Sequence, residues 1–157
     1  MIASFTIPSP LGPLSIESHA GRLIAVRFDG RADPREEATP ELEAAATQLD
    51  QYFSGRRRTF DLPLELRAGS FDRRVLAAVA EIPFGERVSY GRVAAEFGLA
   101  GEDVRKVGGA VGRNPLPILI PCHRVVGADG GLVGYGGGLH RKAQLLALEA
   151  GQLQLAI

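Results

Sequence analysis

The chain has 157 residues, 18 Lys and Arg against 18 Asp and Glu, and one cysteine. That length suits one domain or two small ones, and it buries roughly two-thirds of the unfolded surface without staples. A lone Cys122 excludes an internal disulfide framework and a thiolate-rich zinc site, and zero net charge argues against a basic nucleic-acid coat or a polybasic membrane anchor.

Residues 1–12, MIASFTIPSPLG, lack a charged start followed by an apolar stretch, so no signal peptide is read. No apolar run is long enough for a transmembrane helix. The thiol is therefore expected in a reducing cytoplasm. Residues 2–8, 13–18 and 22–29 are apolar or alternate, and Pro-Leu-Gly-Pro and Ala20-Gly21 separate them. They predict strands in two hairpins of a meander. Pro40 opens a helix to about Phe53, with Leu42, Ala45, Ala46, Leu49 and Phe53 on one stripe and Gly55 past its end. The run Arg56-Arg57-Arg58 that follows reads as a solvated turn or as a phosphate contact.

The texture changes after Gly69, and a boundary is placed there: one unit over 1–68 and a second over 69–157. Ser70 is expected to cap a helix over 71–82, which Pro83-Phe84-Gly85 stops. Ser89 caps a short helix bearing Val93, Ala94 and Phe97, ended by Gly98. Another helix starts near Glu102-Asp103. Two short helices joined through a glycine form the helix-turn-helix pattern. In the second, Val104, Val107 and Val111 make the core stripe, while Arg105, Gly108, Gly109 and Gly112 share an adjacent face. A helix-interior glycine costs about 0.8–1 kcal/mol against alanine, so something must approach that face closely. A DNA groove, including the minor groove, fits it, and so does tight helix packing. With no net charge, any DNA binding should be light and only modestly salt-dependent.

The chemical centre is NPLPILIPCHRVV over 114–126. Residues 118–120 read as a buried strand, and Pro121 forces Ile120 to be extended. Cys122 and His123 come next; a thiol needs a base near neutral pH, and histidine is the usual one. On an extended segment adjacent side chains face apart, so the two touch only if the chain turns, or through a bridging water. A core cysteine without chemistry is the other reading. Glu149 shares a helical face with Leu145 and Leu146, on a final helix over 139–150, where the helix dipole disfavours a carboxylate. It sits there either as a solvated rim residue or as the partner that orients His123 in a Cys–water–His–Glu relay. Gly134-Tyr135-Gly136-Gly137-Gly138 lies between an expected strand at 132–133 and that helix. Such a loop admits close approach by a ligand. It matches neither the P-loop nor the dinucleotide fingerprint, and a plain flexible turn is the alternative.

Together these segments carry a family pattern. PCHRV at 121–125, the upstream Asn114-Pro115, the GYGGG loop, FGERVSYGRVA at 84–94 and VRKVGGAV at 104–111 resemble the O6-alkylguanine-DNA alkyltransferases. The match spans about residues 70–150, in order and at family-like spacing; the N-terminal third fits loosely. The resemblance implies an α+β fold: an N-terminal ribonuclease-H-like three-stranded antiparallel sheet with a helix, then a C-terminal helical domain with a winged helix-turn-helix. It implies a protein that binds double-stranded DNA, flips an alkylated guanine (O4-alkylthymine being a further substrate) into a pocket, and moves the alkyl group onto Cys122. Extrusion costs a few kcal/mol, less for a poorly paired lesion.

Residue by residue, His123 matches the base that deprotonates the thiol through water, and Glu149 its orienting carboxylate. Asn114 matches the asparagine linking the DNA-binding helix to the active-site turn. Tyr90 matches the tyrosine that helps rotate the nucleotide and donates a proton to the leaving guanine. Arg105 matches the arginine that fills the vacated stack. With Tyr90, the implied DNA-contacting set is Arg105, Gly108, Gly109, Gly112 and Arg113. Tyr135 matches the aromatic wall of the pocket. The backbone at Cys122 and Val125 would accept from the guanine amino group, and the Gly136 amide would face O6. Many relatives carry serine at the Gly136 position, so weaker contact to O6 or a roomier pocket that tolerates bulkier alkyl groups is expected here.

Some relatives hold zinc through an N-terminal Cys/His cluster; this region has only His19, so no metal and no cofactor is expected, and His140 reads as a surface residue. A monomer is expected, with cooperative alignment along DNA left open. Two other functions remain readable from the residues: a non-catalytic damage-binding or regulatory protein, and a thiol hydrolase.

Overall fold

The computed structural model describes residues 2–28 and 36–151. Strands β1 (Ile2–Ile7), β2 (Leu14–His19) and β3 (Arg22–Arg27) form an antiparallel sheet in that order. Its register pairs Phe5 with Ile16 and Ile16 with Val26, which stacks the apolar side of each strand on one face. Asp29, the end of the third expected strand, lies outside the described residues. The β2–β3 turn places Ala20 at φ 51° and Gly21 at φ 80°. Two consecutive positive φ values match the twist of a tight hairpin, although alanine there costs roughly 1–2 kcal/mol.

Helix α1 (Pro40–Phe53) lays Leu42, Ala45, Leu49, Tyr52 and Phe53 against the sheet. Gly55, at φ 79°, lets the chain reverse so that the Arg56 amide donates to the Gln51 carbonyl at 2.8 Å. The three arginines after it are engaged locally. Arg56 pairs with Asp50, Arg57 donates to Gln51 and to the Thr59 carbonyl, and Arg58 lies over the Phe84 ring. Residues beyond them run along β3, where Leu23 exchanges hydrogen bonds with Pro63 and Glu65.

Helix α2 (Ser70–Ala80) begins at Ser70 itself. The expected serine cap is not formed: Gly69 takes the extended cap position and no side chain caps the end. A short strand β4 (Val88–Ser89) leads into α3 (Tyr90–Ala95), and the Ser89 hydroxyl caps it by accepting from the Arg92 amide at 3.1 Å. A single 3-10 turn, Gly101–Asp103, precedes α4 (Val104–Gly112). Helices α3 and α4 make the helix-turn-helix, and α2 packs beside α4. Strand β5 (Val125–Val126) pairs in parallel with β4, and α5 (Leu139–Glu149) closes the described chain.

Two expected strands are absent. Residues 118–120 form a tight turn in which Ile118 takes φ 72° and the Ile120 amide donates to the Leu116 carbonyl at 2.8 Å. Residues 132–133 join no ladder, because the Val133 carbonyl is taken by the Tyr90 hydroxyl and the Lys142 ammonium, each at 2.9 Å. One apolar core runs through both halves of the molecule, from Leu14, Ile16 and Leu49 to Val79, Val107 and Leu145. The Val26 amide also donates to the Pro115 carbonyl at 2.9 Å, tying β3 directly to the active-site turn. None of the helices among the described residues is long and apolar enough to cross a membrane.

Candidate active site

Asn114 leaves the end of α4 and organises the turn ahead of the cysteine. Its amide nitrogen donates to the Ile120 carbonyl at 2.9 Å, and its oxygen accepts from the Leu116 amide at 3.0 Å. Both faces of one side-chain amide are used, so the orientation of the turn is determined. The chain then coils as a 3-10 turn, Cys122–Arg124, rather than running extended. The turn removes the geometric objection to cooperation between Cys122 and His123 that an extended segment raises. Its cause is local: the Cys122 amide donates to the Ile120 carbonyl at 2.7 Å, and the Arg124 amide to the Pro121 carbonyl at 3.0 Å.

Cys122 is 6% exposed and reaches a cavity of about 520 Å³. Burial pushes its thiol up, and the Asn114 side chain and the Lys142 charge only partly offset this. The resting group is therefore a neutral thiol that needs a base. His123 is fully buried. Its Nε2 lies 2.7 Å from Glu149 Oε2, and its Nδ1 has no hydrogen-bond partner among the described residues. Burial lowers the histidine below its usual value, against the pull of Glu149, so the ring is neutral near pH 7. With Nε2–H donating to the carboxylate, Nδ1 carries the free lone pair.

Glu149 collects five hydrogen bonds. Oε2 accepts from His123 at 2.7 Å, from the Tyr52 hydroxyl at 2.6 Å and from Arg124 Nη2 at 2.9 Å. Oε1 accepts from Arg124 Nε at 2.8 Å and from the Gly85 amide at 3.3 Å. Burial alone would raise this carboxyl; the donors from His123, Arg124 and Tyr52 outweigh it and hold it at about 2. Arg124 is satisfied in turn by the Ile82 carbonyl at 2.6 Å, and Phe84 lies under its guanidinium.

The cavity wall opposite the relay is Tyr90, Gly108, Gly112, Tyr135 and Gly136, with Val26, Arg27 and Phe28 closing it from β3 and the residue after it. Tyr90 donates its hydroxyl to the Val133 carbonyl, and burial raises it further from ionisation. The Tyr135 hydroxyl is buried with no partner among the described residues. A Cβ built on Gly136 would meet nothing within 4 Å, so the loop carries free space there. Val125 is fully buried in β5 and lies off the cavity lining. Arg105 lies off it too, in a shallow surface depression with Tyr90, Gly108 and Gly134. Gly109 and Arg113 border another with Phe71 and Lys106. Arg113 is held by Asp72 through two bonds, at 2.7 and 3.0 Å.

The wall residues Val26, Arg27 and Phe28 are not singled out by the sequence, and neither are three residues around the relay. Lys142 is fully buried, donates to the carbonyls of Val133 and Gly134, and sits over the Tyr90 ring. A signal for it existed: Lys142, Leu145, Leu146 and Glu149 fall at helical spacing on one stripe. Arg124 stands inside the PCHRV motif itself. Tyr52 offered no such signal, because its contact with Glu149 joins residues 97 apart.

A DNA-binding helix-turn-helix domain that presents one buried thiol beside a neutral histidine defines the class: a DNA-binding protein with a cysteine reaction centre. Two family models match, the ribonuclease-like domain of 6-O-methylguanine DNA methyltransferase over residues 3–66 and its DNA-binding domain over residues 70–151. The chain belongs to the 6-O-methylguanine DNA methyltransferase family. It is 45% identical over 154 residues to the methylated-DNA–protein-cysteine methyltransferase of Mycobacterium tuberculosis H37Rv, covering 95% of this chain and 93% of the relative. It is 40% identical to the constitutive enzyme of Bacillus subtilis 168, covering 92% and 93%. The crystal structure of Mycobacterium tuberculosis OGT in complex with DNA superposes with a TM-score of 0.83 at 43% identity, covering 94% of this chain and 92% of that one.

Proposed function

We propose that this protein repairs DNA by moving an alkyl group from O6-alkylguanine, and from O4-alkylthymine, onto Cys122, once per molecule and without a cofactor. The observation that carries the reading is a buried thiol on the lining of a cavity, with the fully buried His123 next to it in the chain and held through Nε2 by Glu149 at 2.7 Å. Its volume lies in the range of small-ligand sites. Cys122 gives its proton through a water to His123 Nδ1, and Glu149 stabilises the imidazolium. Sγ then bonds to the alkyl carbon as the carbon–O6 bond breaks. The guanine anion takes a proton from Tyr90, and the imidazolium proton returns through solvent to the phenolate. The new thioether has no second cysteine to resolve it, so one molecule reacts once.

Double-stranded DNA is the partner in this reading. Arg105 fills the gap left by the flipped base, the open faces of Gly108 and Gly112 admit the backbone, and Gly109 and Arg113 border the same helix end. Tyr135, the Gly136 amide and the Cys122 carbonyl receive the base, while Val125, matched to the same role by resemblance, stays buried behind the lining. The chain works as two units, 1–68 and 69–157, as a monomer in the cytoplasm. A duplex oligonucleotide containing O6-methylguanine, incubated with the protein and followed by intact mass, tests this. The mass rises by one methyl group, stops at one equivalent, and does not rise in Cys122→Ala. An unchanged mass, or repeated turnover, defeats the proposal.

A further inference from the structure

The Glu149 carboxylate already has four donors from its own half of the molecule: two from Arg124, one from His123 and one from the Gly85 amide. A carboxylate with that set needs no fifth donor to be satisfied. Yet Tyr52, from α1 in the other half, reaches across to Oε2 at 2.6 Å, the shortest bond of the five. Its side chain is fully buried against Phe53, Phe60 and Phe84, and those rings meet it edge-on or tilted. The phenol has no rotational freedom to search for another partner. Burial and the neighbouring carboxylate push Tyr52 well above its usual value. It therefore remains a permanent donor and takes no part as an acid.

We propose that Tyr52 is a positioning residue through which the N-terminal sheet domain sets the orientation and basicity of His123, by sharing Glu149 Oε2 with the imidazole. The physical reason is competition for one oxygen. Each donor on Oε2 draws charge from the lone pairs that receive Nε2–H. A strong phenol donor weakens the carboxylate's hold on an imidazolium and so lowers the pH at which His123 protonates. It also adds an anchor from the N-terminal half to a carboxylate that Arg124, His123 and the Gly85 amide hold from the other half. The charged and titratable groups facing the pair are Arg124 from the turn at 122–124, Lys142 from α5, Tyr135 from the glycine-rich loop, Cys122 next in sequence, and Tyr52 itself. Of these, only Tyr52 belongs to the N-terminal half.

The inference rests on the proposed role of His123 as base, and its test separates the two. Single-turnover transfer from O6-methylguanine duplex is measured across pH for wild type and Tyr52→Phe. In parallel, the proton resonance of His123 Nε2–H is recorded in the unreacted proteins. Tyr52→Phe moves the acidic limb of the rate profile up by about half a unit. It also moves the resonance downfield, because a carboxylate relieved of one donor accepts more strongly. Site-specific 3-fluorotyrosine at position 52, a stronger donor of nearly the same shape, moves both the opposite way and guards against a fold effect of the phenylalanine variant. A rate lowered equally at every pH with an unmoved limb, or an unmoved resonance, overturns the proposal. If no transfer occurs in any variant, the functional reading falls alone, and the resonance still decides the role of Tyr52.

Discussion

The two sides of Cys122 are built on opposite plans. Behind it lie His123, Arg124, Glu149 and Tyr52, fully or nearly fully buried and joined by bonds of 2.6–2.9 Å. In front lie glycines and, among the described residues, a tyrosine whose buried hydroxyl has no partner and open space at Gly136. In the proposed reaction the contrast follows from what each side must do. A proton relay works only if the tautomer and the carboxylate plane are fixed, which requires every donor to be spoken for. A pocket for a planar base must leave polar groups and volume unclaimed until the base arrives. One side is finished in the resting protein, and the other is completed by its ligand.

The largest test breaks the finished side. Glu149→Gln keeps the shape but turns an anion that accepts five donors into a neutral amide, leaving the Arg124 guanidinium buried without its counter-charge. Losing one partner of a buried pair costs about 3–5 kcal/mol, and losing an oriented base costs about 10²–10⁴-fold in rate. Urea unfolding and single-turnover transfer read the two effects. The same network makes the wild type acid-labile. Glu149 lies at about 2 in the folded protein against an ordinary carboxylate value of 4.5. Its folded value is depressed, so its contribution, about 3 kcal/mol, is full above the unfolded value and fades as pH falls from there towards 2. His123 is also depressed. Its contribution is full above its ordinary value near neutrality and fades as pH falls below it. The urea midpoint therefore declines steadily from pH 7 to pH 3 in wild type, and less steeply in Glu149→Gln. Parallel pH curves for the two proteins would show that the carboxylate is not the cause.

How much of this was readable beforehand divides along the same line. The front of the site was legible in part: glycine runs and isolated aromatics announce themselves locally, but the Val26, Arg27 and Phe28 wall comes from the distant strand β3 and the residue after it, and Arg105 and Val125 lie off the lining. Behind the thiol, Cys122, His123 and Glu149 were legible as a motif and as a carboxylate on an apolar stripe. The turn that lets the first two cooperate was not. It is held by bonds to the Ile120 and Pro121 carbonyls and follows a tight turn with Ile118 at positive φ, a conformation that a β-branched residue rarely takes. Arg124 looked like any charge beside a motif. Tyr52 looked like a core aromatic of a helix, and only the docking of the two halves shows what its hydroxyl is for. The expected strand at 132–133 failed for a related reason: its carbonyl is claimed by the Tyr90 hydroxyl, 43 residues away, and by the Lys142 ammonium from the next helix.

A mid-sized test asks how rigid the front is where the two halves meet. A Cβ on Gly137 would stand 2.7 Å from Phe28 Cε2 and 2.8 Å from Tyr135 Cε2. Neither ring can retreat easily. Arg141 covers Phe28 at 5.0 Å and donates to the Gly137 carbonyl, and Tyr135 packs against Phe28 with ring centres 6.0 Å apart. Gly137→Ala is expected to destabilise by about 1–3 kcal/mol, as overpacking does, with the melting temperature as the measure. An unchanged melting point would mean that the pocket wall yields freely.

The neighbouring glycine predicts the reverse, and the pair makes the sharpest use of the comparison. At Gly136 a Cβ meets nothing within 4 Å among the described residues, so Gly136→Ser should leave the melting temperature within the scatter of a surface change, about 0.5 kcal/mol. Its effect belongs to the substrate instead. In the proposed pose the Gly136 amide faces O6, and a serine hydroxyl adds a second donor beside it while taking up volume next to the alkyl group. A small alkyl group gains the donor without losing room, and a bulky one loses room. The ratio of single-turnover rates on methylguanine and benzylguanine duplexes should therefore shift towards methyl by several-fold, the usual size for one hydrogen bond gained or one methylene crowded. A ratio that does not change would mean that position 136 does not touch the substrate, and that the space beside it serves the loop and not the alkyl group.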